Sequence, residues 1–112
     1  MPLQSKGSEL EGKVEEASRL LKSLANEVRL LILCKLVEQP EMNVGALVDA
    51  VGISQSALSQ HLARLREDGL VTFRREAQTL YYRVSDPKAA RILAVLQALY
   101  CPPPVRKAQR RR

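Results

Sequence analysis

The thiol chemistry of this chain rests on two cysteines, Cys34 and Cys101. Two thiols are too few for a self-contained four-cysteine zinc site, but they are enough for a reversible sulfur–sulfur bridge. The N-terminal stretch MPLQSKGSELEGK lacks the apolar segment of a secretory signal, so we expect a cytoplasmic protein, in which structural disulfides are rare. The two cysteines are therefore either core-filling side chains or a redox-responsive pair.

A second group of side chains that could do chemistry lies between residues 55 and 68. On a helical wheel, three leucines share one face, and the other side carries small, amide and basic residues: Gln55, Ser56, Ser59, Gln60 and Arg64. Gln can bond adenine at two atoms, Ser can bond a base or a phosphate, and Arg can reach phosphate or guanine. This pattern favours a helix placed in the major groove of double-stranded DNA. The alternative is a plain amphipathic helix whose polar face meets water.

The elements that would position these side chains are five helices and one β-hairpin. Apolar spacing predicts helices over residues 9–24, 27–38, 44–51, 55–68 and 87–101, with four N-terminal caps: Asn26, Asn43, Ser54 and Asp86. Strand-forming residues predict strands over 71–75 and 79–84 around a polar tip at 76–78. The predicted fold class is mainly α with a small β-wing, a winged helix-turn-helix in the order helix-helix-helix-helix-strand-strand-helix.

The predicted wing adds three further candidates for DNA contact, Arg74, Arg75 and Gln78. An arginine near the tip of a hairpin can enter a minor groove or clamp a phosphate. Arg74 and Arg75 point to opposite faces of their strand, so only one of them is expected to do this. Tyr81 and Tyr82 are expected to pack against the sheet, one on each side.

The charge of the chain also points to a polyanionic partner. The net charge is +6 and the pI is about 9.7. Residues 86–112 carry seven Lys or Arg against one acidic residue, so most of the basic excess lies near the C-terminus. We expect one domain over residues 9–101 and a Pro-rich, then basic, disordered tail over 102–112. If this tail touches DNA, it adds affinity that does not depend on sequence.

Enzymatic and membrane functions find no support in the sequence. The single histidine, His61, lies in the predicted DNA-binding helix, where we expect it to be partly buried and bonded to a nearby carbonyl. There is no glycine-rich phosphate loop, no nucleophile–base pair and no apolar run long enough to span a membrane. We therefore predict no enzyme activity, no cofactor and no membrane partner.

The segments SQSALSQHLARLREDGLV and RREAQTLYY resemble the ArsR-type winged-helix repressors, and the likeness extends from about Ser18 to Cys101. The resemblance implies a homodimer formed through the first and last helices. It also implies an inverted-repeat DNA operator that is released when an inducer arrives.

The metal sites of the best-known branches of that family are not matched. One branch places a Cys-x-Cys pair where this chain has Asn43 to Leu47, which contains no thiol. Another uses Asp and His on the last helix, but here Asp86 has no partner histidine, and Arg91 lies near the place where one would be needed. We therefore predict no metal site, since His61 cannot form one alone.

The segments LLILCKL and ALYCPP resemble the two-cysteine, sulfide- and persulfide-responsive branch of the family, the BigR- and SqrR-like repressors. The resemblance implies that Cys34 and Cys101 are the sensing thiols and that reactive sulfur such as persulfide is the inducer. HlyU-type activators look similar over the same segments. The alternative is thus a repressor or an anti-silencing activator that has another redox inducer or silent cysteines.

The predicted surroundings of the two cysteines leave both interpretations open. Cys34 shares its wheel face with Leu31 and with Glu27 and Glu38, which makes it a boundary face that another helix could cover. Cys101 ends the last helix, and it would lie close to Cys34 if the last helix packs on this boundary face.

Overall fold

The computed structural model describes residues 8–101, which form six helices and three strands. The helices are α1 (Ser8–Glu11), α2 (Val14–Leu24), α3 (Glu27–Glu38), α4 (Val44–Val51), α5 (Gln55–Glu67) and α6 (Pro87–Tyr100). The strands are β1 (Met42–Asn43), β2 (Val71–Glu76) and β3 (Thr79–Val84). This is the predicted winged helix-turn-helix, mainly α with a small sheet.

All four predicted helix caps are confirmed. The side chains of Asn26, Asn43 and Ser54 each accept a hydrogen bond from the backbone N–H three residues on, at 3.0, 2.8 and 3.1 Å. Asp86 accepts one from the N–H of Lys88 at 3.0 Å. Gly52 follows α4 with a φ of 82°, a left-handed conformation that costs glycine little, so the chain can turn sharply into α5.

The structure differs from the sequence prediction in one divided helix, one additional strand and the tip of the wing, where Glu76 belongs to β2 and pairs with Thr79. The ends of α5 and α6 differ from the predicted ones by one residue each. The helix expected over residues 9–24 is divided into α1 and α2, with Gly12 in the intervening turn, where glycine lowers helix stability by about 1 kcal/mol relative to alanine. The strand β1 was not expected, because two residues are too short to show any periodicity. Met42 and Asn43 of β1 pair with Tyr82 and Tyr81 of β3.

The sheet has the order β1-β3-β2, and both of its pairings are antiparallel. Phe73 of β2 lies opposite Tyr82 of β3 with ring centroids 5.3 Å apart, and Tyr82 is buried. Tyr81 lies on the other face, so the prediction of one tyrosine on each side is confirmed. The turn between β2 and β3 contains Ala77, whose φ of 57° is unusual for a residue with a side chain.

The core forms around α3, whose Ile32, Leu33 and Leu36 are buried. They meet buried leucines from the surrounding elements: Leu47, Leu58, Leu62, Leu65, Leu70 and Leu93. This central helix contacts α4, α6 and β3, so it connects the predicted DNA-binding elements to the last helix. No helix within residues 8–101 has the length and apolarity needed to cross a membrane.

Candidate DNA-binding surface and thiol pair

The polar face of α5 is exposed along its whole length. Leu58, Leu62 and Leu65 of this helix are buried, and the five predicted contact residues face away from the core: Gln55, Ser56, Ser59, Gln60 and Arg64. Because the leucines fix the rotation of the helix, this set of side chains is presented outward together. His61 is half-buried beside the leucine face.

An open cleft of about 410 Å³ joins the start of α5 to the tip of the wing. Gln55 and Gln78 both line it, together with Gly45 at the start of α4. The structure therefore brings together two residues that are 23 positions apart and that the sequence pattern assigned to separate elements.

Arg64 lies away from this cleft, towards the other end of α5. Its Nε is 3.4 Å from the Asp68 carboxylate, which also accepts a hydrogen bond of 2.8 Å from the Ser23 hydroxyl of α2. Gln55 and Arg64 are nine positions apart, so the two side chains start about 13 Å apart along the helix axis. They cannot share one contact on the DNA.

The two wing arginines have different surroundings. The Nε of Arg74 lies 3.0 Å from both carboxylate oxygens of Glu41, and its Nη1 lies 3.0 Å from Glu76. Its guanidinium carbon is 4.6 Å from the centre of the Tyr81 ring. Arg75 is exposed on the opposite face and forms no ion pair within residues 8–101. Of the two, Arg75 has the more available charge.

The Arg74–Glu41 pair is strongly ionised. The hydrogen bond from Arg74 is the main cause that lowers the pKa of Glu41; desolvation opposes it, and the positive charges of Arg74 and Arg83 lower the pKa further. Hydrogen bonds to Glu41 and Glu76 raise the already high pKa of Arg74 further. Both side chains are therefore charged at neutral pH.

Sequence reasoning missed two residues of this surface, Glu41 and Arg66. Arg66, near the end of α5, places its guanidinium 4.7 Å from the centre of the Phe73 ring, and so connects the helix to the wing. No local pattern predicts either contact, because Glu41 and Arg74 are 33 positions apart. The only signal available was the alternation along β2, which places Phe73 and Arg74 on opposite faces.

The two cysteines lie on adjoining helices and are both free thiols. Cys34 is half-buried on α3, and Cys101 is exposed at the end of α6. Glu38 and Gln97 are each one helical turn from a cysteine, and the Gln97 amide donates a 3.5 Å hydrogen bond to the Glu38 carboxylate. The cysteine-bearing ends of α3 and α6 therefore lie side by side, as expected for a boundary face covered by the last helix.

The surroundings of Cys34 disfavour its thiolate. Burial raises the pKa of Cys34 first, and the negative charge of Glu38 and the neighbouring Cys101 raise it further. Lys35 acts in the opposite direction but has the smallest effect of the four. Cys34 is therefore a protonated thiol at neutral pH. Within residues 8–101, no three His, Cys, Asp or Glu side chains cluster closely enough to hold a metal ion.

Comparison with known proteins identifies the class to which this fold and surface belong. The family described as "Bacterial regulatory protein, arsR family" matches residues 26–72, which include α3, α4, α5 and the start of β2. The Transcriptional activator HlyU of Vibrio cholerae is 50% identical over 93 residues, which are 83% of this chain and 85% of HlyU. The chain therefore belongs to the ArsR family of bacterial DNA-binding regulators.

Solved structures of relatives have the same fold. Reduced HlyU from Vibrio cholerae aligns with a TM-score of 0.77 and 49% identity, over 83% of this chain and 97% of that one. The transcriptional repressor BigR from Xylella fastidiosa aligns with a TM-score of 0.79 and 38% identity, over 88% of this chain and all of that one. The protein is thus a transcriptional regulator that binds DNA, and it is not an enzyme.

Proposed function

We propose that this protein is a dithiol-switched repressor. Its homodimer binds an inverted-repeat operator in the cytoplasm, and it releases that operator when reactive sulfur bridges Cys34 and Cys101. The observation that carries the proposal is the packing of α6 against α3, with Glu38 and Gln97 in contact one helical turn from the two cysteines. The functional unit covers residues 9–101. The tail over 102–112 lies outside the described residues and is assigned no role.

The exposed thiol of Cys101 reacts first, because Cys34 is half-buried and has a raised pKa. Cys101 takes one sulfur atom from a glutathione persulfide and releases glutathione, and Cys34 does the same with a second persulfide. The two protein persulfides then condense: one attacks the cysteine-bound sulfur of the other, and hydrogen sulfide leaves. Two thiols and two glutathione persulfides thus give one trisulfide, two glutathiones and one hydrogen sulfide.

The length of the bridge favours reactive sulfur over simple oxidants. A direct disulfide requires Cα atoms within about 7 Å, whereas each inserted sulfur lengthens the link by roughly 2 Å. In this proposal, Cys34 and Cys101 are held slightly too far apart for a direct disulfide. They therefore react productively with a persulfide and poorly with peroxide.

A bridge would affect DNA binding through α3. It would tie the end of α6 to α3, and α3 contacts α4 of the helix-turn-helix. In a dimer formed through α2 and α6, this constraint shifts the distance between the two copies of α5. Release follows because the bridged and open forms then differ in operator affinity.

Four exposed apolar side chains support the dimer: Val14 and Leu21 on α2, and Val95 and Leu99 on α6. Each exposes more than half of its surface, from 53% to 68%. The Lys88–Glu16 ion pair, at 3.9 Å, shows that α2 and α6 adjoin. A second copy of the chain would cover this apolar surface.

Intact-mass analysis of the full chain tests the thiol switch. After treatment with glutathione persulfide, we expect a mass increase of one sulfur minus two hydrogens, with a peptide in which Cys34 and Cys101 are cross-linked. Peroxide at the same concentration serves as the control and should give little cross-link. Two separately modified cysteines with no cross-link would contradict the proposal.

A second candidate function is anti-silencing activation, favoured by the 50% identity to a protein named as a transcriptional activator. Such a regulator displaces a silencing protein from DNA rather than blocking polymerase. Deletion of the gene separates the two functions, because the transcript of the bound promoter rises if the protein represses and falls if it activates.

For the DNA interface, we propose that α5 lies in the major groove with Gln55, Ser56, Ser59 and Gln60 near base edges. Arg64 would then contact the backbone further along, while Arg75 and Gln78 contact DNA from the wing. The cleft shared by Gln55 and Gln78 supports this arrangement, since it places the start of α5 beside the wing tip.

Gln60→Ala is expected to reduce discrimination between operator and random DNA by about 1–3 kcal/mol, because a bidentate contact to a base would be lost. Binding to random duplex should be unchanged. Fluorescence anisotropy on both duplexes measures the difference. Gln39→Ala removes an exposed amide outside α5 and is the matched control. Equal discrimination by both variants and the parent would refute this docking face.

Arg75→Ala is expected to weaken binding to operator and random DNA alike. A lost phosphate contact also lowers the slope of log affinity against log salt by about 0.9. Titrations at several salt concentrations measure that slope. Arg83→Ala, on the opposite face of the same sheet, is the control and should leave the slope unchanged. A slope unaffected by Arg75→Ala would remove Arg75 from the interface.

A further inference from the structure

The side chains of Arg74 and Glu41 meet over one face of the three-stranded sheet and link its two outer sides. The Arg74 side chain starts on β2, an outer strand, passes over the Tyr81 ring on the middle strand β3, and meets Glu41, immediately before β1. Neighbouring strands are about 4.8 Å apart, so the side chains of Arg74 and Glu41 together bridge two strand spacings, roughly 10 Å. The resulting strap, formed by Arg74, Tyr81 and Glu41, holds the outer strand to the far side of the sheet.

Arg74 already uses part of its guanidinium to bind carboxylates of the protein itself. Two of its nitrogens face the carboxylates of Glu41 and Glu76 at 3.0 Å. A DNA phosphate would have to compete with both carboxylates for the charge of Arg74. With Arg83 included, this face of the wing carries two positive and two negative charges, which attract a polyanion weakly.

The strap connects the wing to the start of the helix-turn-helix. Glu41 is followed directly by β1, and Asn43 of β1 caps α4, which leads to α5. On the other face of the wing, Arg66 of α5 lies 4.7 Å from the Phe73 ring. The hairpin is thus held on both faces, by Arg74 on one and by Arg66 on the other.

We propose that Arg74 is a positioning residue, which fixes the angle of the wing relative to α5 through Glu41 and does not itself bind DNA. Phosphate contact in the wing then falls to Arg75, on the opposite face. This assignment replaces the prediction that treated Arg74 and Arg75 as equivalent candidates. It is independent of the thiol switch, since every group in the strap belongs to the wing or to the segment before β1.

The test compares reduced full-length Arg74→Gln, Glu41→Gln, the double variant and Arg74→Lys. Two DNA probes are used: a duplex from the region upstream of the protein's own gene, and a random duplex of equal length. Each single Gln variant should lower affinity about three- to tenfold, since both variants break the Arg74–Glu41 ion pair. The double variant should lose no more than either single variant, because one interaction is broken in all three.

The salt dependence and the lysine variant separate positioning from direct contact. A positioning residue leaves the slope of log affinity against log salt unchanged, and Arg74→Lys fails to restore affinity because an ammonium cannot hold both oxygens of Glu41 and stack on Tyr81. A slope that falls by about 0.9 with Arg74→Gln, and recovers with Arg74→Lys, would show a phosphate contact and overturn the proposal. So would tighter binding by Glu41→Gln, or no change in either variant. Arg75→Ala verifies that the assay detects a lost phosphate contact, and no persulfide is present.

Discussion

Cys34→Ser is expected to abolish the release of DNA by persulfide. The parent protein should lose affinity for its operator roughly 5- to 150-fold on treatment, the usual range of coupling between two sites. The variant should not respond, because serine can neither hold a sulfane sulfur nor close the bridge to Cys101. Its affinity in the untreated state should stay within about twofold of the parent, since serine nearly matches the volume of cysteine at this half-buried position.

Cys101→Ser is the matched variant on the other helix. It should also fail to release DNA after persulfide treatment, but its added sulfur would be on Cys34 and not on Cys101. Its remaining thiol is half-buried and has a raised pKa, so it should take up sulfur more slowly than the remaining Cys101 of Cys34→Ser. Anisotropy with operator DNA before and after persulfide measures release, and intact mass measures uptake. Full release by either single variant would show that the bridge is not the switch.

Val95→Arg is expected to produce the second large effect, a loss of operator affinity of roughly 10²- to 10⁴-fold. A dimer binds its operator more tightly than a monomer by this factor, because its second α5 binds its half-site at high effective concentration once the first is bound. An arginine in the middle of the exposed apolar surface of α6 would place a charge where the second copy packs, and would favour monomers.

For Val95→Arg, the dimer fraction from sedimentation equilibrium and the affinity from operator titration should therefore fall together. Gln39→Arg adds the same charge at an exposed position off α6 and controls for the effect of net charge on DNA binding. A monomeric Val95→Arg protein with parental operator affinity would contradict binding as a dimer. A dimeric variant would show that the subunits meet elsewhere.

The local features of this fold could be predicted from the sequence because they depend on residues three or four positions apart. Asn26, Asn43 and Ser54 each cap a helix through the N–H of the third residue on, and such a contact is visible as a residue type at a fixed spacing. The buried face of α5 is predictable for the same reason, since Leu58, Leu62 and Leu65 recur at helical intervals.

The long-range contacts could not be predicted in this way. The Glu38–Gln97 hydrogen bond joins residues 59 positions apart, and the Arg74–Glu41 pair joins residues 33 positions apart. The sequence could show that Arg74 and Arg75 face opposite ways, but which one meets two carboxylates depends on where the chain before β1 packs. Cys34 was correctly placed on a boundary face, whereas the helix that covers it follows only from the tertiary fold.

The most direct test of the thiol switch is a titration of one operator duplex with three preparations of the same protein. These are the reduced form, the form bridged between Cys34 and Cys101, and the bridged form after treatment with a reductant. We expect the bridged form to bind roughly 5- to 150-fold more weakly than the reduced form, and reduction to restore the original affinity. Equal affinity in all three preparations would contradict a switch at these two thiols.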